Sequence, residues 1–188
     1  MIYEVLRKLF FIITRDFLSG CQLDVRRSLE DYNGVDAAKI RVLDKGVLSV
    51  VSYEQEGDCY KETETRKLTS AFHLSVLSSA DYSTEFTKKI NMQSPNSFGN
   101  KKVKEYAIRP DEHLIIINRT TDSDRYGNNI NYEKSTRFIP EKNHEYEIYT
   151  EKPEIIKSAG NIIVNDVTTH ESIKVWNDKI CQKKGFFS

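Results

Sequence analysis

The chain has 188 residues, with 28 Lys and Arg against 28 Asp and Glu, so its formal net charge at pH 7 is zero. This length favours one domain with a full hydrophobic core. No run of Lys or Arg exceeds two residues, so the basic surface that nucleic-acid binding needs is missing, and we expect no DNA or RNA partner.

The N-terminal segment, residues 1–20, has the order of a signal peptide. Arg7 and Lys8 form a basic start, residues 9–13 are apolar, and Leu18-Ser19-Gly20-Cys21 has the form of a lipobox. The chain therefore resembles a bacterial lipoprotein precursor. The resemblance implies cleavage before Cys21, a diacylglycerol on its thiol, and a lipid anchor in the membrane of the bacterial cell envelope.

A second interpretation of the same segment stays open. Arg15 and Asp16 interrupt the apolar run, and six residues from Leu9 to Thr14 are fewer than the usual span of about 7 to 15. A helical spacing is shared by Ile2, Val5, Leu6, Leu9, Ile13 and Phe17. These residues also predict an amphipathic helix docked on the body of a cytosolic protein. Neither version is long enough to span a bilayer, which takes about 20 apolar residues.

The expected oxidation state of the other two cysteines depends on which interpretation of residues 1–20 is correct. If Cys21 is lipidated, Cys59 and Cys181 form an even pair in a compartment that permits disulfides, and we expect them to be joined. In a cytosolic protein both would be free thiols, buried as small apolar side chains.

Residues 21–37 are polar and end in the turn Asn33-Gly34, which predicts a tether before a domain over residues 38–188. Ile40 and Val42 then alternate with charged residues, a turn follows at residues 44–46, and Val47 to Tyr53 is β-branched and aromatic. This pattern predicts a β-hairpin.

The middle of the chain predicts three more strands. The first is Ala71 to Leu77, where a helical spacing competes with alternation. The second runs from Val103 to Arg109 and stops at Pro110. The third spans His113 to Asn118, and its apolar run Leu114 to Ile117 predicts a central strand buried on both faces.

A polar loop is predicted over residues 120–131, followed by a second hairpin around Pro140 to Asn143. The pattern Phe138-x-Pro140 with Tyr146-x-Ile148 resembles a hairpin of small extracytoplasmic β-sandwich lipoproteins. Asn161 to Thr168 predicts a further strand, and residues 172–184 fit either a short helix or a strand. About seven or eight strands, with short turns between them, favour a mainly β fold, an antiparallel β-sandwich, over an α/β fold.

One motif approaches a metal site. Asp122, Asp124 and Glu133 nearly match the first, third and last positions of a calcium loop, but Tyr126 and Ile130 occupy two positions that should supply ligands. A polar hairpin loop is the favoured interpretation. The four histidines are widely separated, and no nucleophile elbow or phosphate loop is present, so we expect no cofactor and no catalytic residue.

These features predict a noncatalytic cell-envelope lipoprotein that serves as a binding or assembly module and presents loops or a strand edge to another envelope protein. Two alternatives remain. One is an envelope hydrolase whose site is assembled only in the fold, and the other is a cytoplasmic protein with a docked N-terminal helix.

Overall fold

The structure is a computed structural model that describes residues 26–43, 45–69, 71–73, 81–83, 88–124, 126–151 and 158–182, with only the backbone at 71–73 and 81–83. The signal-like segment 1–20, the lipobox with Cys21, and residues 74–77 of a predicted strand lie outside these ranges.

The described residues form strands and irregular segments. The strands are β1 Ala38–Leu43, β2 Val47–Glu56, β3 Cys59–Lys67, β4 Ala71–His73, β5 Asp81–Ser83, β6 Val103–Ile108, β7 His113–Ser123, β8 Asn129–Phe138, β9 Glu145–Thr150 and β10 Ile162–Asp166. Within the described ranges no helix occurs, so none there is long or apolar enough to cross a membrane.

Eight of these strands form two four-stranded sheets. The first sheet has the order β10-β9-β1-β6, and the second has the order β3-β2-β7-β8. All neighbours are antiparallel except β1 and β9, which run parallel. The predicted β-sandwich is confirmed, with one parallel pair that the sequence did not indicate. Strands β4 and β5 form a separate pair.

The core lies between the two sheets because each strand turns alternate residues inward. Its members are Ala38, Ile40, Val42, Leu48, Val50, Leu68, Tyr106, Ile108, Leu114, Ile116, Phe138, Tyr146, Ile148, Ile162 and Val164. Ile40 and Val42 come from the first sheet, and Leu48 and Val50 from the second. The alternation in the sequence thus identifies the inward positions correctly.

Strand β7 is buried on both faces, as its apolar run predicts. Leu114 and Ile116 belong to the core between the sheets, whereas Ile115 and Ile117 lie in a second cluster on the outer face of the second sheet. That outer cluster is covered by the C-terminal segment, whose Trp176 is 3% exposed. The Trp176 Nε1 donates a hydrogen bond of 2.9 Å to the carbonyl of Leu114. Residues 171–179 form neither the helix nor the strand considered for this stretch.

Both predicted hairpins are wrong in their pairing. Strands β1 and β2 lie in different sheets, and so do β8 and β9. Each turn carries the chain across the sandwich, so that Phe138 and Tyr146 meet edge to face at 5.5 Å between ring centroids. Two alternating strands joined by a short turn can form a hairpin within one sheet or a connection between the two sheets. Both arrangements place the same apolar residues inward, so the sequence pattern fits either one.

The predicted polar loop over residues 120–131 is also mostly strand. Strand β7 continues to Ser123 and pairs with β8 as far as Asn129, so only the tip between them is a turn. This extension is polar because it projects beyond the core, where neither face is buried.

Two irregular segments complete the body. In the predicted tether, the Leu29 amide donates to the Lys67 carbonyl at 3.0 Å, and the Tyr32 amide donates to the Ala107 carbonyl at 2.9 Å. Residues 27–32 therefore join the edge of the second sheet to the edge of the first.

A second segment, residues 93–97, lies over the outer face of the first sheet and is called the cover segment here. It packs on a buried ion network in which the Arg41 guanidinium contacts Glu105 at 2.9 Å and Glu147 at 2.9 Å. Arg41 also donates to the carbonyls of Ser94 at 3.0 Å and Pro95 at 3.1 Å. The charges on this face therefore hold the cover segment in place.

Candidate functional site

A cleft opens between the two sheets beside residues 29–32, with a cavity volume of about 350 Å³. It lies where the inward-facing positions of β2 and β7 change from apolar to polar. On β2, Val50 is followed two and four residues later by the half-buried Ser52 and the exposed Glu54, and the half-buried Glu112 lies in the turn just before β7. Since residues two apart share a strand face, Ser52 and Glu54 continue the face of Val50, and Glu54 lies where that face has become exposed.

The floor of the cleft is apolar. Both sheets contribute to it through Ile40, Val50, Ile108, Leu114, Ile116 and Phe138, and the N-terminal segment adds Leu29. At the wall, the Thr63 hydroxyl donates to the Ser52 carbonyl at 3.2 Å. The six side chains from the sheets are 0–5% exposed, so the floor of the cleft is the packed hydrocarbon core of the sandwich.

The rim of the cleft is acidic. Five carboxylates line it, namely Glu30, Asp31, Glu54, Glu64 and Glu112. Asp31 pairs with Lys88 at 2.8 Å, and Glu64 pairs with Arg66. Within the described part of the chain, Glu30, Glu54 and Glu112 form no ion pair at short distance, although the charge of Glu30 also acts on Arg66.

Arg109 is the one cationic residue in the lining of the cleft, and its guanidinium packs against an aromatic ring. The Arg109 guanidinium carbon lies 5.4 Å from the centroid of the Tyr32 ring. This cation–π contact closes the wall between the N-terminal segment and β6. The rim therefore keeps an excess of negative charge above an apolar floor.

The lining of the cleft carries carboxylates as its main ionisable groups. Among its lining residues there is no histidine, lysine or cysteine. Its volume falls at the lower end of the range of about 300 to 1,000 Å³ that is typical of small-molecule sites.

A second cluster, formed by Glu141, His144 and Asp166, is the set of donors that comes closest to a metal site in the described residues. The His144 Nδ1 lies 2.6 Å from an Asp166 oxygen and 3.9 Å from a Glu141 oxygen. The other Asp166 oxygen accepts the amides of Thr168 at 2.8 Å and Thr169 at 3.1 Å.

These contacts explain the electrostatics of Asp166. Burial alone would raise the pKa of its carboxyl, but the hydrogen bonds from His144 and the two amides outweigh burial and lower it. The donors already satisfy one another, so the cluster locks the turn before β9 to the end of β10. A His–Asp pair also occurs in hydrolases, where a hydroxyl or thiol is hydrogen-bonded to the histidine, and among the described residues no such group is bonded to His144.

The calcium candidates are not brought together. Asp124 caps its own turn by accepting the amides of Tyr126 and Asn128 at 2.8 and 2.9 Å. Glu133 lies on β8 and pairs with Arg119 at 2.7 Å, and Asp122 accepts the amide of Ser123. Because the loop is a strand extension, Glu133 faces its cross-strand neighbour and not the turn.

The two remaining cysteines are joined. Cys59 and Cys181 form a disulfide with 5.1 Å between their Cα atoms, in agreement with the pairing expected for an exported chain. The bond fixes the C-terminal segment to the start of β3. Cys21, the expected lipid attachment site, lies outside the described residues.

Beside the disulfide lies an aromatic cluster that the sequence did not reveal. The Tyr60 ring stacks on His113 at 4.2 Å, and Arg137 lies 4.6 Å from the Trp176 ring centroid. Burial lowers the pKa of His113, although Asp178 opposes the shift. His113 is therefore neutral at pH 7 and acts as part of an apolar contact.

The cleft residues were missed at the level of sequence, although a pattern for them exists. Glu54 continues the alternation of Val50 on β2, and Glu112 stands two residues before Leu114 in the turn that precedes β7. A carboxylate at an inward position marks either a strand end or a site. To distinguish a strand end from a binding site, one must know which strands pair and which sheets pack together. The sequence pattern does not contain this information.

Comparisons with protein-family models, curated proteins and solved structures found no match to this chain.

Proposed function

We propose that this chain is a noncatalytic binding module of the bacterial cell envelope, anchored to a membrane through lipid on Cys21. The observation that carries the binding role is the cleft, a cavity of about 350 Å³ between core side chains of both sheets and carboxylates at its rim. A small ligand in such a site gains from burial of its apolar part, roughly 25 cal/mol per Å².

The disulfide supports the envelope location. Cys59 and Cys181 are 122 residues apart in the chain and are joined. Such bonds persist in exported proteins and are rare in the reducing cytosol. An exported chain with a cysteine after Leu-Ser-Gly is a substrate for lipidation, which accounts for the third cysteine as well.

The anchor and the cleft lie close together along the chain. Leu29, which lines the cleft, is eight residues after Cys21, so they can be separated by at most about 29 Å. A lipid on Cys21 would hold the cleft near the membrane surface. This arrangement suits a ligand, or an envelope protein partner, that is found at that surface.

The anchor is tested by expressing the chain and its Cys21→Ser variant in a bacterium. We expect the parent in the membrane fraction, with the mass of a chain that begins at Cys21 and carries lipid. The Cys21→Ser variant should be released from the membrane. A matched control, Cys59→Ser with Cys181→Ser, should stay in the membrane fraction, because it removes the disulfide and keeps the lipid site.

If parent and Cys21→Ser are equally soluble and unprocessed, the envelope assignment is wrong, and Arg15 and Asp16 would account for the lost signal function. The binding role is tested separately with an uncharged apolar probe, octanol, by titration calorimetry. Absence of any saturable heat would overturn the assignment of the cleft as a binding site.

A further inference from the structure

The cover segment, residues 93–97, is held on the outer face of the first sheet by buried carboxylates. We propose that this segment is released by acid, because protonation of Glu105, Glu145 and Glu147 opens it while the β-sandwich stays folded. All three carboxylates accept hydrogen bonds from one short, uncharged stretch of backbone, residues 90–97. The device lies in a different part of the fold from the cleft and works independently of it.

Glu145 and Glu147, both on β9, hold the cover segment itself. The Glu145 carboxylate accepts the amides of Gln93 at 2.8 Å and Ser94 at 2.7 Å. The Glu147 carboxylate accepts the Ser97 amide at 3.1 Å and also the Ser97 hydroxyl. The two glutamate side chains are 7% and 2% exposed. Because an ionised carboxylate is a stronger acceptor than a neutral carboxyl group, protonation weakens each of these bonds.

Glu105, on β6, fixes the chain just before the cover segment. One of its oxygens accepts the Ile90 amide at 2.9 Å, and the other is paired with Arg41 at 2.9 Å. Arg41 in turn donates to the carbonyls of Ser94 and Pro95. The same buried network therefore holds this stretch of chain through both its amides and its carbonyls.

The cover segment can open without unfolding the sandwich because it belongs to neither hydrophobic cluster. None of residues 88–100, all of which the structure describes, is a member of the two clusters or packs against them as a partly buried apolar residue. At the end of the segment, Phe98 meets Tyr149 edge to face at 5.7 Å. Segments with few buried apolar contacts open at a lower free energy than the core.

The charges around the cover segment favour closure near neutral pH and opening in acid. Among the described residues, the charged groups on the covered face are Lys39 and Arg41 on β1, Glu105 on β6, and Glu145 and Glu147 on β9. At the borders of this face, Lys88 pairs with Asp31, and His144 pairs with Asp166. The cover segment carries no ionisable side chain. The covered face is therefore net negative when its carboxylates are ionised and net positive when they are protonated.

The direction of the pH effect follows from the surroundings of the carboxyl groups. Burial would raise the pKa of Glu145, but hydrogen bonds from the Ser94 and Gln93 amides outweigh burial and lower it. The pKa of Glu105 is lowered in the same way, with burial opposed by a backbone amide and by Arg41. Closure therefore gains free energy above the open-state pKa of about 4.3, and this gain is lost as the pH falls through the lower folded values. The segment should stay closed above about pH 5 and open below about pH 4.

Amide hydrogen exchange followed by NMR measures this opening in the full chain carrying Cys21→Ser, with its disulfide intact. Each carboxylate with an open-state pKa of about 4.3 can weaken closure by up to about sevenfold at pH 3.5. Between about pH 6 and about pH 3.5, we expect the protection factors of the Gln93, Ser94 and Ser97 amides to fall about 20- to 300-fold. The Ile116 amide in the central strand should stay more protected than these three at both pH values.

Glu145→Gln separates the charge of the carboxylate from the shape of the side chain. Glu145 lies outside the buried arginine network, so the variant should keep the sandwich folded. At about pH 6, the Gln93 and Ser94 amides should lose about 10- to 100-fold in protection, as expected for the loss of hydrogen bonds to a charged group. The matched control is Glu56→Gln, which removes an exposed carboxylate on β2 in the other sheet and should leave these protection factors unchanged.

Three outcomes would overturn the proposal. The cover-segment amides could keep their protection at about pH 3.5, or lose it only together with Ile116, and then no separate opening occurs. Glu145→Gln could protect these amides as well as the parent does, and then the carboxylate charge does not hold the segment. If Glu145→Gln does not fold, Ser97→Ala gives the same test at an exposed position. It should lower the protection of the Ser97 amide about three- to tenfold, and an unchanged value would refute the role of Glu147.

Discussion

Arg41 is the residue whose replacement tests the architecture of the first sheet most directly. Its guanidinium is 4% exposed and contacts Glu105 and Glu147, each at 2.9 Å. Replacing it by Met keeps much of the volume and leaves two buried carboxylates without their cation. Removing one partner of a buried ion pair typically costs about 3 to 5 kcal/mol, because the remaining charge is desolvated and uncompensated.

Two further hydrogen bonds raise the expected cost towards the upper end of that range. Arg41 donates to the carbonyls of Ser94 and Pro95, so its loss also loosens the cover segment. We therefore expect Arg41→Met to lower the free energy of unfolding by about 4 kcal/mol at pH 7. Urea denaturation followed by fluorescence measures this loss, because Trp176 is the single tryptophan of the chain.

Lys39→Met is the matched control. Lys39 lies on the same strand, two residues before Arg41, and pairs with Glu145 at 3.3 Å, but its side chain is 30% exposed. A partly solvated ion pair contributes about 0 to 1 kcal/mol, so this variant should be close to the parent in stability. If both variants lost the same free energy of unfolding, burial of the Arg41 ion network would not explain the stability loss of Arg41→Met.

The pH dependence provides a second check on Arg41→Met. In the parent, burial would raise the pKa of Glu105, but hydrogen bonds from the Ile90 amide and Arg41 outweigh burial and lower it. A carboxyl with a lowered folded pKa contributes stability above its unfolded pKa of about 4.3, and this contribution is lost as the pH falls through the folded value. In Arg41→Met the same burial disfavours the ionised carboxylate of Glu105. Protonation of Glu105 at low pH therefore removes part of the stability loss of this variant. The stability difference should therefore shrink between pH 7 and pH 4, and a constant difference would refute the reasoning.

Three other outcomes can be measured. Ile116→Ala should cost about 2 to 5 kcal/mol in urea denaturation because Ile116 is fully buried, and a loss below about half a kcal/mol would place β7 outside the core. Replacing Cys59 and Cys181 by Ala should lower the free energy of unfolding by about 4 to 5 kcal/mol in the chain-entropy model, and an unchanged midpoint would contradict a disulfide in the folded protein. Burial raises the pKa of Tyr146 to about 12, despite a hydrogen bond from the Glu141 amide. Its phenol stays protonated in the folded state, so stability should fall as pH rises from about 10 towards that value, and phenolate absorbance from Tyr146 near pH 10 in folded protein would refute it.

Much of the local structure followed from the sequence. Strand alternation at Ile40 and Val42 identified the inward face of β1, and the unbroken run Leu114 to Ile117 identified a strand buried on both sides. Both are local properties, since a strand turns successive residues to opposite faces whatever its partners are. The pairing of Cys59 with Cys181 was also expected, because it followed from counting cysteines once export was assumed.

The charged residues on the first sheet show what local patterns leave undecided. Lys39 and Arg41 alternate with core residues in the same way, and both look like solvent-exposed positions in the sequence. The structure buries Arg41 and leaves Lys39 partly exposed, because Glu105, Glu147 and the cover segment converge on Arg41. Glu105 and Glu147 are 64 and 106 residues away along the chain, and the cover-segment carbonyls are 53 and 54 residues away.

The sequence by itself determined strands such as β1 and the start of β7 and which of their faces lies in the core, because these depend on neighbours two residues apart. Only the tertiary structure decided which strands pair. It placed β1 beside β6 and β9, turned two expected hairpins into crossings between sheets, and brought Glu54 and Glu112 to one cleft. Partner choice depends on how the whole set of apolar faces is buried at once, and contacts between distant parts of the chain leave no periodic pattern in the sequence.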